Sequence, residues 1–135
     1  MNVLVIGSGG REHAIVEALS RSPKSPKIYA APGNAGIAQL AECVAIKDTE
    51  VAKLVEFAKA NNVELTVVGP EASLAAGVVD AFRAEGLKIF GPTKAAAEIE
   101  ASKDFAKRLM KKYDVPTADY ATFTSFDEAM EYVRK

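Results

Sequence analysis

A chain of 135 residues with 17 Lys and Arg against 18 Asp and Glu, a formal net charge of -1, is too evenly charged for a basic nucleic-acid surface or an acidic tail. Its length suits one domain of ordinary size, or one small domain with a piece of another. No apolar run approaches the roughly eighteen residues of a membrane span, no cleavable signal pattern follows Met1, and a single cysteine excludes intrachain disulfides and cysteine metal clusters. A cytoplasmic protein with neither nucleic acid nor membrane as partner is the expectation.

Val3-Leu4-Val5-Ile6 predicts a buried first strand that runs into the turn Gly7-Ser8-Gly9-Gly10 and then into a helix opening at Arg11-Glu12-His13-Ala14. The first turn of a helix leaves N–H groups without internal partners, and glycines let a ligand approach the backbone, so the turn suits a phosphate or a carboxylate. The dinucleotide fingerprint wants Gly-x-Gly-x-x-Gly and an acidic residue about twenty positions on. Here its third position falls on Glu12, and the second strand, Lys27 to Ala31, ends in Pro32-Gly33-Asn34 with no carboxylate. Two of its checks fail, which disfavours a dinucleotide; a turn with no ligand at all stays open.

The first helix carries Ala14-Ile15-Val16, Ala18 and Leu19 and stops at Ser22-Pro23. Cys43 to Ile46 predicts a third strand in which Cys43 packs, and Asp48-Thr49 can cap a helix with Val51, Leu54, Val55 and Ala58 on one face. Asn61-Asn62 ends it. Leu65 to Val68 is the fourth strand, then Gly69-Pro70-Glu71, a helix through Val78, Val79, Ala81 and Phe82, and a fifth strand Leu87 to Phe90 before Gly91-Pro92. Strands alternating with helices predict a doubly wound parallel sheet of the α/β class. Four of the five strand ends bear glycine-rich turns, which points to a ligand close to the backbone beyond the carboxyl ends of the strands. From Lys94 to Tyr113 the pattern is helical. Val115-Pro116-Thr117 breaks it, Ala118 to Phe123 predicts a strand, and Ser125-Phe126-Asp127-Glu128 a capping box for a helix with an apolar stripe of Phe126, Ala129, Met130 and Val133.

Gly7-Ser8-Gly9-Gly10-Arg11-Glu12-His13-Ala14, Pro32-Gly33-Asn34-Ala35-Gly36, Val68-Gly69-Pro70-Glu71, Phe90-Gly91-Pro92 and Glu98 through Ser102-Lys103-Asp104-Phe105 together resemble the N-terminal region of the phosphoribosylamine-glycine ligase family. These enzymes are also called glycinamide ribonucleotide synthetases. One departure is Ala72-Ser73-Leu74, where the family commonly has proline before the leucine. The resemblance implies a Rossmann-like pre-ATP-grasp domain over 1–101 and a truncated start of an ATP-grasp domain over 102–135. It implies a ligase of de novo purine synthesis that joins 5-phosphoribosylamine to glycine through a glycyl phosphate, giving ADP and phosphate, with ATP and magnesium or manganese in the full-length enzyme. No protein nucleophile is needed, and no Ser-His-Asp or Cys-His constellation or metal site is visible. A fragment of this kind is expected to bind none of these cofactors and to be inactive alone. The full enzyme is expected to be a monomer, and the fragment to self-associate through 125–135.

By the same resemblance, Gly9 and Gly10 offer N–H groups to phosphate or ribose oxygens and Glu71 accepts ribose hydroxyls. Arg11 either pairs with the phosphate or points into water. Glu12 either binds substrate or only complements the helix N-terminus. Asn34 either touches substrate or serves its turn, and His13 is a packed histidine rather than a proton carrier. Lys103 matches the lysine that ATP-grasp enzymes place near the nucleotide phosphates, against a reading as one solvated lysine among Lys107, Lys111 and Lys112. A dehydrogenase domain, a stand-alone binding module and another ATP-grasp purine ligase remain alternatives, the last disfavoured by Arg11-Glu12-His13.

Overall fold

The computed structural model describes residues 1–25 and 27–134. They form two compact units, Met1–Ala97 and Glu98–Lys135. The first holds strands β1 (Asn2–Gly7), β2 (Lys27–Pro32), β3 (Glu42–Cys43), β4 (Val63–Val68) and β5 (Ile89–Phe90), all parallel, in the order β3-β2-β1-β4-β5. Helices α1 (Gly10–Ser20), α2 (Val51–Ala60), α3 (Glu71–Ala75) and α4 (Val78–Ala84) connect them with one 3-10 turn, Ile37–Gln39, and α5 (Lys94–Ala101) follows β5. This is the doubly wound parallel α/β layer read from the sequence.

The apolar run of β1 has its cause in two covered faces. Val3, Leu4, Val5 and Ile6 are fully buried, as parallel strands with helices on both sides require. Leu4 and Ile6 join Tyr29, Ala31, Leu54, Val78, Val79 and Phe82 in one core, while Val5 joins Val16, Ile28, Ala30 and Ile37 in another. Successive side chains of β1 and β2 thus alternate between the α2–α4 face and the α1 face. An edge-to-face pair of Tyr29 and Phe57, ring centroids 5.2 Å apart, locks α2 onto β2.

Several local expectations are corrected. The outer strands β3 and β5 shrink to two residues each, because an edge strand has a ladder on one side only. Cys43 stands on outer β3 and is exposed, not packed. Asp48-Thr49 does not cap α2; Glu50 takes the N-cap place, and its carboxylate accepts the Lys47 N–H at 2.9 Å. The helix foreseen through Val78 is preceded by the short α3, and the two part at Gly77, whose φ of +87° only glycine adopts without strain. No helix among the described residues is long and apolar enough to cross a membrane.

The second unit contains α6 (Lys103–Lys112) and α7 (Phe126–Val133). The helix expected from Lys94 to Tyr113 is broken at Ser102, which adopts extended dihedrals and accepts the Phe105 N–H on its hydroxyl at 3.2 Å. Ala118 to Phe123 forms no strand, since no second extended segment among residues 98–134 offers a ladder. Side chains of α6 hold it instead: Lys107 Nζ donates to Thr117 Oγ1 at 2.7 Å and to the Ala118 carbonyl at 2.9 Å, and Thr122 donates to Asp104 at 2.8 Å. Ser125 is the N-cap of α7, but its side chain makes no cap hydrogen bond, so the capping box is not formed. Lys135, the last residue of the stretch expected to self-associate, lies outside the described residues.

Candidate functional site

The Gly33 N–H donates to the Gly7 carbonyl at 3.1 Å and the Gly69 N–H to the Ile6 carbonyl at 3.0 Å, so the carboxyl ends of β2, β1 and β4 lie side by side. Between β1 and β4 the strand order reverses. A doubly wound sheet opens its binding crevice at such a point.

The side chain of Glu12 fills that point. Glu12 is 3% exposed. Its Oε2 accepts the Gly9 N–H at 2.7 Å and its Oε1 accepts Arg11 Nε–H at 2.9 Å. A Cβ added at Gly69 would stand 2.5 Å from Glu12 Cγ and Cδ, one at Gly7 2.5 Å from Cγ, and one at Gly9 2.9 Å from Oε2. These three positions are glycine because a carboxylate passes between them. The sequence reading gave the glycine-rich turns to a ligand; the chain's own side chains occupy most of them. A Cβ at Gly36 would meet His13 Cε1 at 2.7 Å, one at Gly91 would meet Leu74 and Val79 at 3.1 Å, and one at Gly33 would overlap Cys43 Sγ. Of the glycines in the turns that follow the strands, only Gly10 faces open space. The Gly9 N–H, expected to face substrate, is committed to Glu12, whereas the first-turn N–H groups of Gly10 and Arg11 have no acceptor earlier in α1.

Arg11 joins two strand ends. Its Nε reaches Glu12, and Nη1 reaches Glu71 Oε1 at 3.1 Å at the start of α3. The hydrogen bond to Glu71, then that to Glu12, raises the Arg11 pKa above its already high usual value. In turn the Arg11 hydrogen bond, with help from a backbone N–H, holds the Glu71 carboxyl below the usual carboxylate range. The side chains of Arg11 and Glu71 are 55% and 46% exposed, so solvent weakens the pair. A depressed carboxyl pKa contributes stability that is present above the ordinary Glu range and is lost as pH falls through the lowered value. Carbon-detected titration of Glu71 should therefore give a midpoint below 4.5, and Arg11→Ala should move it up towards that value. An unmoved midpoint would remove the pair.

Asn34, foreseen as a possible substrate contact, spends both ends of its amide on the chain. Nδ2 donates to the Ser8 carbonyl at 2.7 Å and Oδ1 accepts the Ile37 N–H at 2.9 Å, tying the turn after β2 to the turn after β1. The half-buried His13 lies against Gly36. Sequence reasoning missed the role of Gly69 and two buried hydroxyls, Thr66 Oγ1 and Ser73 Oγ, that have no hydrogen-bond partner. The sole signal for the first was a carboxylate where the fingerprint wants its third glycine. Lys103 lies in the second unit, exposed, in the first turn of α6. No group of three or more His, Cys, Asp or Glu among the described residues is placed to hold a metal ion.

A family model described as phosphoribosylglycinamide synthetase, N domain, matches residues 1–100, and one described as phosphoribosylglycinamide synthetase, ATP-grasp (A) domain, matches residues 101–135. The chain is 57% identical over 133 residues to a phosphoribosylamine-glycine ligase of Halalkalibacterium halodurans, covering 98% of this chain and 31% of that protein. It is 56% identical over 137 residues to the enzyme of the same name from Pasteurella multocida, covering 100% of this chain and 32% of that one. The crystal structure of phosphoribosylamine-glycine ligase from Thermotoga maritima superposes with a TM-score of 0.67 at 30% identity, over 99% of this chain and 30% of that one. N5-carboxyaminoimidazole ribonucleotide synthetase from the same organism, at 18% identity over 98% of this chain and 36% of its own, shares the fold with a TM-score of 0.67. The chain spans about a third of the length of the curated relatives it matches.

Proposed function

Since this chain belongs to the phosphoribosylglycinamide synthetase family, we propose that it is the N-terminal part of an ATP-dependent carbon-nitrogen ligase that joins 5-phosphoribosylamine and glycine in de novo purine synthesis. Residues 1–101 are its pre-ATP-grasp domain and 102–135 the start of its ATP-grasp domain, a division supported by the two family models meeting at residue 100. Its setting is the cytoplasm, its partners are small molecules, and the complete enzyme is a monomer. ATP, with magnesium or manganese, supplies the phosphoryl group that activates the glycine carboxylate.

The observation that carries the reading is the strand-end cluster, in which Arg11 is held between Glu12 and Glu71 beside the open Gly10 turn. Glu71 is a ready acceptor for ribose hydroxyls, because it stays ionised and is half exposed. Arg11 and the Gly10 N–H are donors aimed at oxygen, at the positive end of α1. Gly9, Glu12 and Asn34 shape the floor and the turn that carry these groups. Lys103 meets the nucleotide phosphates once the remaining ATP-grasp groups surround it, and Arg11 and Glu71 only bind and orient, so acyl transfer proceeds by positioning.

In the intact ligase, Glu71→Ala should lower kcat/KM for phosphoribosylamine by about 1 to 3 kcal/mol while the KM for ATP changes little. The 135-residue chain alone should make no glycinamide ribonucleotide. Unchanged phosphoribosylamine kinetics would take Glu71 out of the site, and ATP-dependent product from the chain alone would refute the division of labour.

A further inference from the structure

We propose that Glu12 is a specificity-determining residue: its carboxylate occupies the phosphate slot of the strand-end crevice, so the crevice rejects phosphates and admits the hydroxyl- and amine-bearing end of its ligand. Gly7 ends β1 and Gly9 follows it at the spacing of a dinucleotide turn, at the reversal of strand order where such folds place a pyrophosphate. Position 12 is where that turn has its third glycine. Here it carries an anion of the chain's own. The Glu12 carboxylate takes the Gly9 N–H that would otherwise face a phosphate, and Gly7, Gly9 and Gly69 close around it.

Charge then selects the ligand. A phosphate entering the crevice must strip Glu12 from the Gly9 N–H and sit beside a buried like charge, where repulsion is poorly screened. Arg11 offers little relief, since it is already shared between Glu12 and Glu71. A sugar hydroxyl or an amine brings donors, which the carboxylates accept, while the Arg11 guanidinium only donates. The choice of end rests on the substrate reading above; the exclusion of phosphate stands on the Glu12 geometry alone.

Amide and Arg11 Nε signals of the nitrogen-15-labelled chain separate the two. With inorganic pyrophosphate up to about 10 mM, the Gly9 amide of the unaltered chain should show no saturable shift, whereas Glu12→Gly and Glu12→Ala, which empty the slot, should show one, a gain of about tenfold or more in affinity. Ribose 5-phosphate should move the Arg11 Nε signal of the unaltered chain and leave Gly9 in place. A saturable Gly9 shift with pyrophosphate in the unaltered chain overturns the proposal, as does a folded Glu12→Gly or Glu12→Ala chain that ignores pyrophosphate. An Arg11 signal indifferent to ribose 5-phosphate, with Gly9 still indifferent to pyrophosphate, sinks the substrate reading and leaves the exclusion intact.

Discussion

Gly69→Ala should destabilise the Met1–Ala97 unit by about 3 kcal/mol, the upper end of the overpacking range. The added Cβ would stand 2.5 Å from Cγ and Cδ of Glu12. The backbone at Gly69 is not in the left-handed region, so the cost is one of space rather than strain. Glu12 cannot retreat, because Gly7 and Gly9 wall its other sides and its oxygens hold Gly9 N–H and Arg11. Swinging it out would orphan a buried N–H and break a charged hydrogen bond. The conflict is therefore with one side chain, and a double-mutant cycle isolates it. Glu12→Ala alone should also destabilise, yet in its background Gly69→Ala should cost little, a coupling of about 2 kcal/mol in urea unfolding. Additive losses, or a Gly69→Ala midpoint equal to that of the unaltered chain, would show that the carboxylate does not determine the glycine.

The central sheet was legible in the sequence because burial on two faces leaves a continuous apolar signature, plainest in Val3 to Ile6. The lengths of β3 and β5 were not, since an edge strand ends where its single neighbour stops pairing and that neighbour lies far away in the chain. The same holds at the site. The turns after β1 and β4 were visible as glycine clusters, but the reason for Gly69 is a side chain from α1, brought to it by the pairing of β1 with β4. Arg11 and Glu71 were named separately; their contact is a product of the strand order. In the second unit Ala118 to Phe123 was read as a strand and is none, because a ladder requires a partner that residues 98–134 do not supply.

That missing ladder sets the last expectation. Hydrogen exchange should leave the amides of Val3 to Ile6 and Leu65 to Val68 slower than those of Ala118 to Phe123 by a factor of about a thousand or more. β1 is paired on both sides, by β2 and β4, within a fully buried run. Residues 118–123 are held by the Lys107 and Asp104 side chains and by Phe123 against Tyr132, contacts that restrain the path of the segment without protecting its N–H groups. On α7 the apolar stripe is incompletely covered, with Phe126 77% and Val133 76% exposed. Burying a side chain of that size is worth roughly 1.5 to 3 kcal/mol, so the stripe favours any surface that covers it. Exchange at α7 that slows as the chain is concentrated would identify a second copy as that surface, in line with self-association through 125–135. Protection of 118–134 equal to that of the sheet in a dilute monomer would mean that the second unit is stable by itself, and the proposed division at residue 101 would not separate a complete domain from an incomplete one.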